Sequence, residues 1–247
     1  MDLGLSGRTV LLSHGATPLG RAVAARLAGE GARVACGMPD GADGLPDVTA
    51  IPLLVGDAVR AMEQLVRDAV AAGGPPDILV AEMAEPLAGT LDDIAAHQLA
   101  AYLHATVAGL WAFVRAGAEH LRGDGRIVVL VNAAGKIPSR AHMAAAVAGA
   151  AQLAFVKSCS DHLGPRGITV NAVCVGDAAP EGAIGTDAFL GRGLGQQESR
   201  WGAAPPLGRW CTPPHVAEAV AFLASARAAF ITGANMDVDG GQQRMIF

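Results

Sequence analysis

The chain contains few tyrosine and lysine residues, whose side chains can act together in proton transfer. Among its 247 residues there is one tyrosine, Tyr102, and there are two lysines, Lys136 and Lys157. A phenol works as a general acid or base when a neighbouring cation lowers its pKa and both groups reach the substrate. Tyr102 is followed four residues later by Thr106, so the sequence contains no Tyr-x-x-x-Lys pair. Proton transfer by such a pair is therefore excluded.

Histidine and cysteine offer other chemistry, but their spacing is unspecific. His142 stands at the start of a predicted helix, shortly after Lys136 and Ser139. We expect His142 to face solvent, with a catalytic role in a cleft as the alternative. Cys174 is expected to be a buried core thiol. No CxxC pair or metal-ligand spacing occurs, so we predict reduced thiols and no metal site, the four cysteines being Cys36, Cys159, Cys174 and Cys211.

The elements that must position these residues alternate regularly along the chain. Short apolar runs alternate with longer alanine-rich stretches of helical period, a pattern typical of a parallel sheet covered on both faces. Predicted strands are Thr9–Ser13, Arg33–Cys36, Thr49–Leu54, Ile78–Ala81, Arg126–Val131 and Thr169–Val173. Predicted helices are Leu19–Glu30, Ala58–Ala72, Leu91–Leu121 with an internal break, and Ala141–Leu163. No linker divides the chain, and Gly176–Gly202 is predicted to form an irregular active-site lid.

The amino-acid composition excludes several classes of protein. With 51% hydrophobic residues, 17% charged residues and a net charge of −5, the chain is expected to fold and to bind no nucleic acid. No apolar run approaches the roughly 18–20 residues of a membrane span, and the first residues do not resemble a signal peptide. We therefore predict a cytoplasmic protein without a membrane partner, folded as one domain over residues 1–247.

Several sequence motifs occur in a specific order. They include LSHGATPLGRA at Leu12–Ala22, GPRGITVNAV at Gly164–Val173 and FITGANMDVDGG at Phe230–Gly241. In this order the chain resembles the short-chain dehydrogenase/reductase family from end to end. The resemblance implies an α/β fold, a single Rossmann-type domain with a doubly wound, seven-stranded parallel sheet. It also implies a nicotinamide dinucleotide cofactor and a dimer or tetramer.

The cofactor contacts that the resemblance implies are largely replaced. The family's glycine-rich turn lets backbone N–H groups approach the pyrophosphate, but here His14 and Pro18 stand at two of its glycines and only Gly20 is kept. Met38 stands where an acidic residue would hold the ribose, and Leu54 where an aspartate would bind adenine. The family's NNAG segment reads Ala81-Glu82-Met83-Ala84. We predict that this chain binds no dinucleotide.

The four catalytic positions of the family are replaced as well. Aligned on the family pattern, Thr106 stands for the asparagine, Asn132 for the serine, Ala145 for the tyrosine and Gly149 for the lysine. Asn132 is expected to bind local backbone groups. These departures predict no catalytic residues of the usual kind.

A degenerate member with intact helices suggests an accessory role. We expect a pseudoenzyme: a non-catalytic structural or regulatory subunit of a heteromeric NAD-dependent dehydrogenase, similar to the hydroxyacyl-CoA dehydrogenases of the benzylsuccinate pathway. Its partner would be an intact paralogue that holds the NAD, joined as a heterodimer or heterotetramer through the helices near Leu91–Leu121 and Ala141–Leu163. The alternatives are a non-redox enzyme, such as a lyase, cyclase or isomerase, that uses the retained cleft, and a ligand-sensing protein.

Overall fold

Seven strands, most of them buried and apolar, form one parallel sheet. The computed structural model describes residues 2–82, 86–176, 205–207 and 209–243. The strand order is β3-β2-β1-β4-β5-β6-β7, and every neighbouring pair is parallel. The strands are β1 (Thr9–Leu12), β2 (Arg33–Met38), β3 (Val48–Pro52), β4 (Ile78–Glu82), β5 (Arg126–Asn132), β6 (Thr169–Val175) and β7 (Asn235–Val238). The order reverses beside β1, so the sheet is doubly wound, as predicted.

Helices cover both faces of this sheet. They are α1 (Pro18–Gly29), α2 (Ala58–Gly73), α3 (Ala96–Leu103), α4 (Gly109–Ala118), α5 (Met143–Leu163) and α6 (Pro213–Ala224). One core lies between the sheet and α1 with α6, and the second lies between the sheet and α2, α4 and α5. Alternate residues of β1 enter opposite cores, Val10 the first and Leu11 the second. This alternation explains why the strand is apolar at every position.

Two element boundaries differ from the sequence prediction in ways that affect the site. The stretch predicted as two helices near Leu91–Leu121 with a break inside is α3 and α4, which a π-helical turn, His104–Ala108, joins without a break. An inserted π turn widens the helix without ending it, which a Gly- or Pro-based signal cannot reveal. Strand β2 runs on to Met38, which pairs in register with Pro52 and is buried. Met38 is therefore a core side chain.

The expectation that no apolar segment reaches membrane-spanning length is wrong. Ala96–Ala118 and Met143–Arg166 are long enough, with mean hydropathies of 1.2 and 1.3. Their α4 and α5 parts pack one side against the sheet, whereas α3 has no buried residue. On the outer side the ring of exposed Trp111 of α4 contacts that of Phe155 of α5 at a tilt of 45°, with the ring centroids 5.4 Å apart. Core helices of this kind meet the same length and hydropathy criteria. The predicted lid lies beyond Gly176, outside the described residues.

Candidate functional site

A polar cluster joins the carboxyl ends of β1 and β4. The Ser13 hydroxyl donates a hydrogen bond to the Glu82 carbonyl oxygen at 2.8 Å and accepts one from the Glu82 amide at 2.9 Å. The His14 ring nitrogen Nδ1 lies 2.7 Å from the same carbonyl oxygen. Because a carbonyl can only accept, Nδ1 carries the hydrogen and Nε2 is the bare nitrogen. Burial also lowers the pKa of His14, which favours this neutral ring.

The carboxyl group of Glu82 lies buried at the N-terminal turn of α1. Thr17 caps this helix by accepting a hydrogen bond from the Gly20 amide, and its hydroxyl donates to Glu82 Oε1 at 2.6 Å. Glu82 is 7% exposed, and its Oε2 has no hydrogen-bond partner among the described residues. Burial, which the Thr17 hydrogen bond only partly offsets, raises the pKa of Glu82 to about 7. An acidic side chain thus occupies the end of the helix that attracts anions.

The same turn is poorly suited to bind a pyrophosphate. A Cβ placed on Gly20 would lie 2.1 Å from the His14 carbonyl oxygen and 2.8 Å from Glu82 Oε2, so the helix contacts these groups directly. Pro18 is the first residue of α1 and supplies no N–H to a phosphate. Above about pH 7, where Glu82 ionises, its carboxylate would also repel one. The residues at this turn therefore do not fit the dinucleotide that the family uses.

A small pocket opens beside His14, between β3, α2 and the π turn. Its volume is about 160 Å³. Apart from His14 the lining residues have apolar side chains or none, and they are His14, Leu53, Leu54, Gly56, Ala58, Ala61, Met62, Ala105 and Gly109. Leu54, predicted to replace an adenine-binding aspartate, lies at this pocket and is 52% exposed.

The two positions aligned with the catalytic tyrosine and lysine are buried on the inner side of α5. Ala145 is buried, and Gly149 contacts the loop that follows β5. A Cβ on Gly149 would lie 2.8 Å from the Gly135 Cα and 3.1 Å from the Asn132 carbonyl oxygen. The space that a lysine side chain would need is therefore filled by backbone.

The positions aligned with the catalytic serine and asparagine have structural roles. Asn132 Oδ1 accepts a hydrogen bond from the Ala134 amide at 2.8 Å, which fits the expectation that it binds local backbone groups. The Thr106 hydroxyl, buried in the π turn, donates to the Tyr102 carbonyl oxygen at 2.7 Å. Gln152 Nε2 of α5 donates to the Thr106 carbonyl oxygen at 3.2 Å. The sequence did not lead us to predict a role for Gln152, although a single amide side chain in a largely apolar helix indicates a buried hydrogen bond.

His142 is buried, so the prediction that it faces solvent is wrong. It precedes the first residue of α5, and its Nδ1 lies 3.2 Å from the Ser139 hydroxyl oxygen. The loop is tied to the segment after β4 by a hydrogen bond from the Gly89 amide to the Ala141 carbonyl oxygen at 2.7 Å. These hydrogen bonds therefore fix the positions of Ser139 and His142 between the ends of β4 and β5.

Three other candidates are engaged elsewhere. Lys136 Nζ lies 2.7 Å from Asp237 Oδ1 of β7. Cys174 is buried beside this ion pair, and burial raises the pKa of its thiol to about 12, which makes it the unreactive core thiol that we predicted. Burial also raises the pKa of Tyr102, so this phenol stays protonated at neutral pH. None of the three offers an activated nucleophile or base.

Comparisons with known proteins cover almost the whole chain. The family model described as enoyl-(acyl carrier protein) reductase matches residues 15–243. Cis-4-hydroxycyclohexanecarboxylate dehydrogenase of Sinomonas cyclohexanicum is 32% identical, with 98% of each chain covered. L-rhamnose 1-dehydrogenase (NAD(P)(+)) of Azotobacter vinelandii is 29% identical over 96% of this chain and 97% of its own. A short-chain dehydrogenase/reductase structure from Serratia marcescens superposes with a TM-score of 0.82 at 28% identity, covering 96% of this chain and 98% of that one.

These relatives overturn the expectation of a non-catalytic subunit. The two sequence relatives are named as dehydrogenases, and the solved structure carries the family's enzyme name, each aligned over nearly its full length. Nothing in the comparisons indicates an accessory chain of a heteromeric enzyme. The replacement of the usual catalytic residues changes the expected mechanism. It does not by itself indicate a loss of activity.

Proposed function

Because the chain belongs to the short-chain dehydrogenase/reductase family, we propose that it is an enzyme acting on a small hydroxyl- or carbonyl-bearing compound. The substrate binds at the carboxyl edge of the sheet, beside Ser139 and His142. The reaction is a proton transfer that needs no dinucleotide bound to this chain. The contact between the half-buried Ser139 hydroxyl and the buried His142 ring is the observation that carries the proposal.

The substrate class is supported by the relatives and by the fold. The names of two full-length relatives specify a hydroxycyclohexane carboxylate and the sugar rhamnose, both of which carry hydroxyl groups. In doubly wound sheets, ligands bind outside the carboxyl ends of the strands, near the point where the strand order reverses. Ser139 and His142 follow β5 at this edge.

The absence of a bound dinucleotide is supported at two separate places. The Glu82 carboxyl group and Pro18 stand at the N-terminal turn of α1, where a pyrophosphate would need N–H donors. At the other end of the site, backbone of Gly135 closes the space above Gly149. No hydride-transfer step is therefore assigned to this chain.

A histidine held by a hydroxyl group suits acid–base chemistry at a carbon next to a carbonyl. The imidazole accepts the proton from that carbon and returns it to a neighbouring position, which isomerises the compound. Alternatively it delivers the proton to a departing hydroxyl group, so that water leaves and a double bond forms. Neither reaction changes the oxidation level of the substrate as a whole. Ser139 orients the ring through Nδ1.

Exchange of substrate hydrogen with solvent tests this proposal. The purified chain is incubated in D2O with a panel of hydroxy and oxo acids and their thioesters, with no nicotinamide present, and deuterium incorporation is followed by NMR. We expect incorporation to fall about 100-fold or more in His142→Gln and to persist in His162→Gln, a change of an exposed histidine near the other end of α5. Conversion that requires NAD or NADP, with no exchange in their absence, would show hydride transfer instead.

A further inference from the structure

The pocket beside His14 has the size and polarity of a binding site in its own right. Its volume of about 160 Å³ is close to that of an engineered apolar cavity that binds benzene in another protein. It therefore has room for one ring and for little more. The pocket lies between β3, α2 and the π turn, whereas Ser139 and His142 lie in the loop between β5 and α5.

His14 is the one lining residue of this pocket that has a polar side chain. Its Nδ1–H is used by the Glu82 carbonyl oxygen, and Ser13 bonds the same backbone group from its other side. Nε2, on the opposite edge of the ring, forms no hydrogen bond within the described residues. It therefore offers a lone pair and no hydrogen, so a ligand group that binds it must be a donor.

Charge near the pocket disfavours an anion. Asp57, the residue that caps α2, lies between the lining residues Gly56 and Ala58. Asp57 is exposed and is paired with His104 at 2.9 Å. No lysine or arginine is among the lining residues. A phosphate or carboxylate would have no cationic partner there.

The mouth of the pocket exposes apolar surface that a ligand would cover. Leu54, a lining residue in the segment between β3 and α2, is 52% exposed. Burial of this surface favours an apolar ligand by roughly 25 cal/mol for each Å² removed from water.

We propose that this pocket binds a small neutral ring compound that donates one hydroxyl or N–H hydrogen bond to His14 Nε2. A phenol or an indole has this chemistry. The site is separate from the Ser139–His142 pair, so it stands or falls independently of the proposed reaction.

Paired probes with and without the donor test the inference. Phenol and toluene have nearly the same shape, and only phenol carries a hydroxyl group. Each is titrated into the purified chain labelled with ¹³C in its methionine methyl groups, and the Met62 methyl signal, assigned with Met62→Leu, reports on the pocket wall. We expect saturable shifts with both, and a Kd for phenol about 3- to 10-fold lower, the size of one net hydrogen bond.

Variants identify the site. His14→Phe keeps a ring and removes the acceptor, so phenol and toluene should then bind equally. Ala105→Leu fills the pocket and should abolish the Met62 shift, whereas Ala101→Leu, one helical turn earlier and exposed, should leave it unchanged. Gly109→Val is a second filling variant, because a Cβ there meets only ordinary contacts, the nearest at 3.6 Å. Thermal melting establishes that each variant is folded.

The inference is overturned by any of three results. The first is the absence of a saturable Met62 shift with phenol and toluene up to their solubility limits. The second is equal Kd values of the two compounds for the wild-type chain, and the third is a folded filling variant that binds phenol as the wild type does.

Discussion

Replacing Glu82 by glutamine tests whether an uncharged acid is built into the end of the sheet. The wild-type carboxyl group accepts a hydrogen bond from the Thr17 hydroxyl through Oε1, while Oε2 is buried without a partner. Glutamine retains the oxygen that Thr17 needs and cannot ionise. The substitution therefore removes the titration and keeps the shape.

The magnitude follows from the two pKa values. Burial raises the pKa of Glu82 from 4.5 to about 7, so between these pH values the folded protein holds a proton that the unfolded chain has lost. The free energy of unfolding of the wild type then falls as pH rises from about 4.5 to 7. The full difference amounts to roughly 3 kcal/mol. Glu82→Gln lacks this loss, so at pH 8 it should exceed the wild type in stability by up to about 3 kcal/mol more than at pH 4.5.

Urea unfolding followed by circular dichroism from pH 4.5 to 8.5 measures this difference. Other titrating groups, His14 among them, are common to both proteins and cancel in the comparison. Glu119→Gln, at an exposed position after α4, serves as the matched control and should follow the wild type. Parallel pH profiles for wild type and Glu82→Gln, within about 0.5 kcal/mol, would show that the carboxyl group is not held uncharged, and the account of the α1 turn would be wrong.

Three further outcomes are expected from the same structure. Gly149→Lys should destabilise the fold by about 1–3 kcal/mol because its Cβ meets Gly135 backbone, whereas Gly164→Lys, with open space around it, should unfold in urea much as the wild type does. Calorimetric titration with NAD or NADP should give no binding at micromolar concentrations, and a micromolar Kd would contradict the description of the α1 turn. The thiol of Cys174, with its pKa raised to about 12, should be alkylated by iodoacetamide more slowly than Cys159, at about 11, when native protein is analysed by mass spectrometry.

Much of the fold could be predicted from the sequence because parallel strands buried on both faces must be apolar throughout. The run at Arg126–Val131 is such a case, and it became β5 with one residue added. The π turn at His104–Ala108 could not be predicted, since no residue type marks it. Strand β7 lacked the signal for another reason: its residues Asn235 and Asp237 are polar, and the strand lies at an edge with partly exposed positions.

For the site, residue type could be predicted and residue contact could not. The replacements at Pro18 and Ala145 were visible in the sequence as departures from a family pattern. The contact of Gly149 with Gly135 joins a helix to a loop fourteen positions earlier, and no local pattern contains it. The burial of His142 likewise depends on the chain segment around Gly89, because the Gly89 amide is hydrogen-bonded to Ala141, the residue before His142. Long-range packing therefore decided which polar side chains stand in the site.

Some polar groups along the carboxyl edge of the sheet have hydrogen-bond partners and others do not. This difference indicates where a bound ligand would stabilise the fold most. Around the π turn the chain supplies its own partners, with Gln152 bound to the Thr106 carbonyl oxygen. At the end of β5, Asn132 binds its own loop. Beside β1, by contrast, Glu82 Oε2 is buried without a partner and His14 Nε2 forms no hydrogen bond within the described residues. An unmet buried polar atom costs about 1–3 kcal/mol, so a hydrogen-bonding group that reaches Glu82 Oε2 would stabilise this corner more than any contact at the closed catalytic positions.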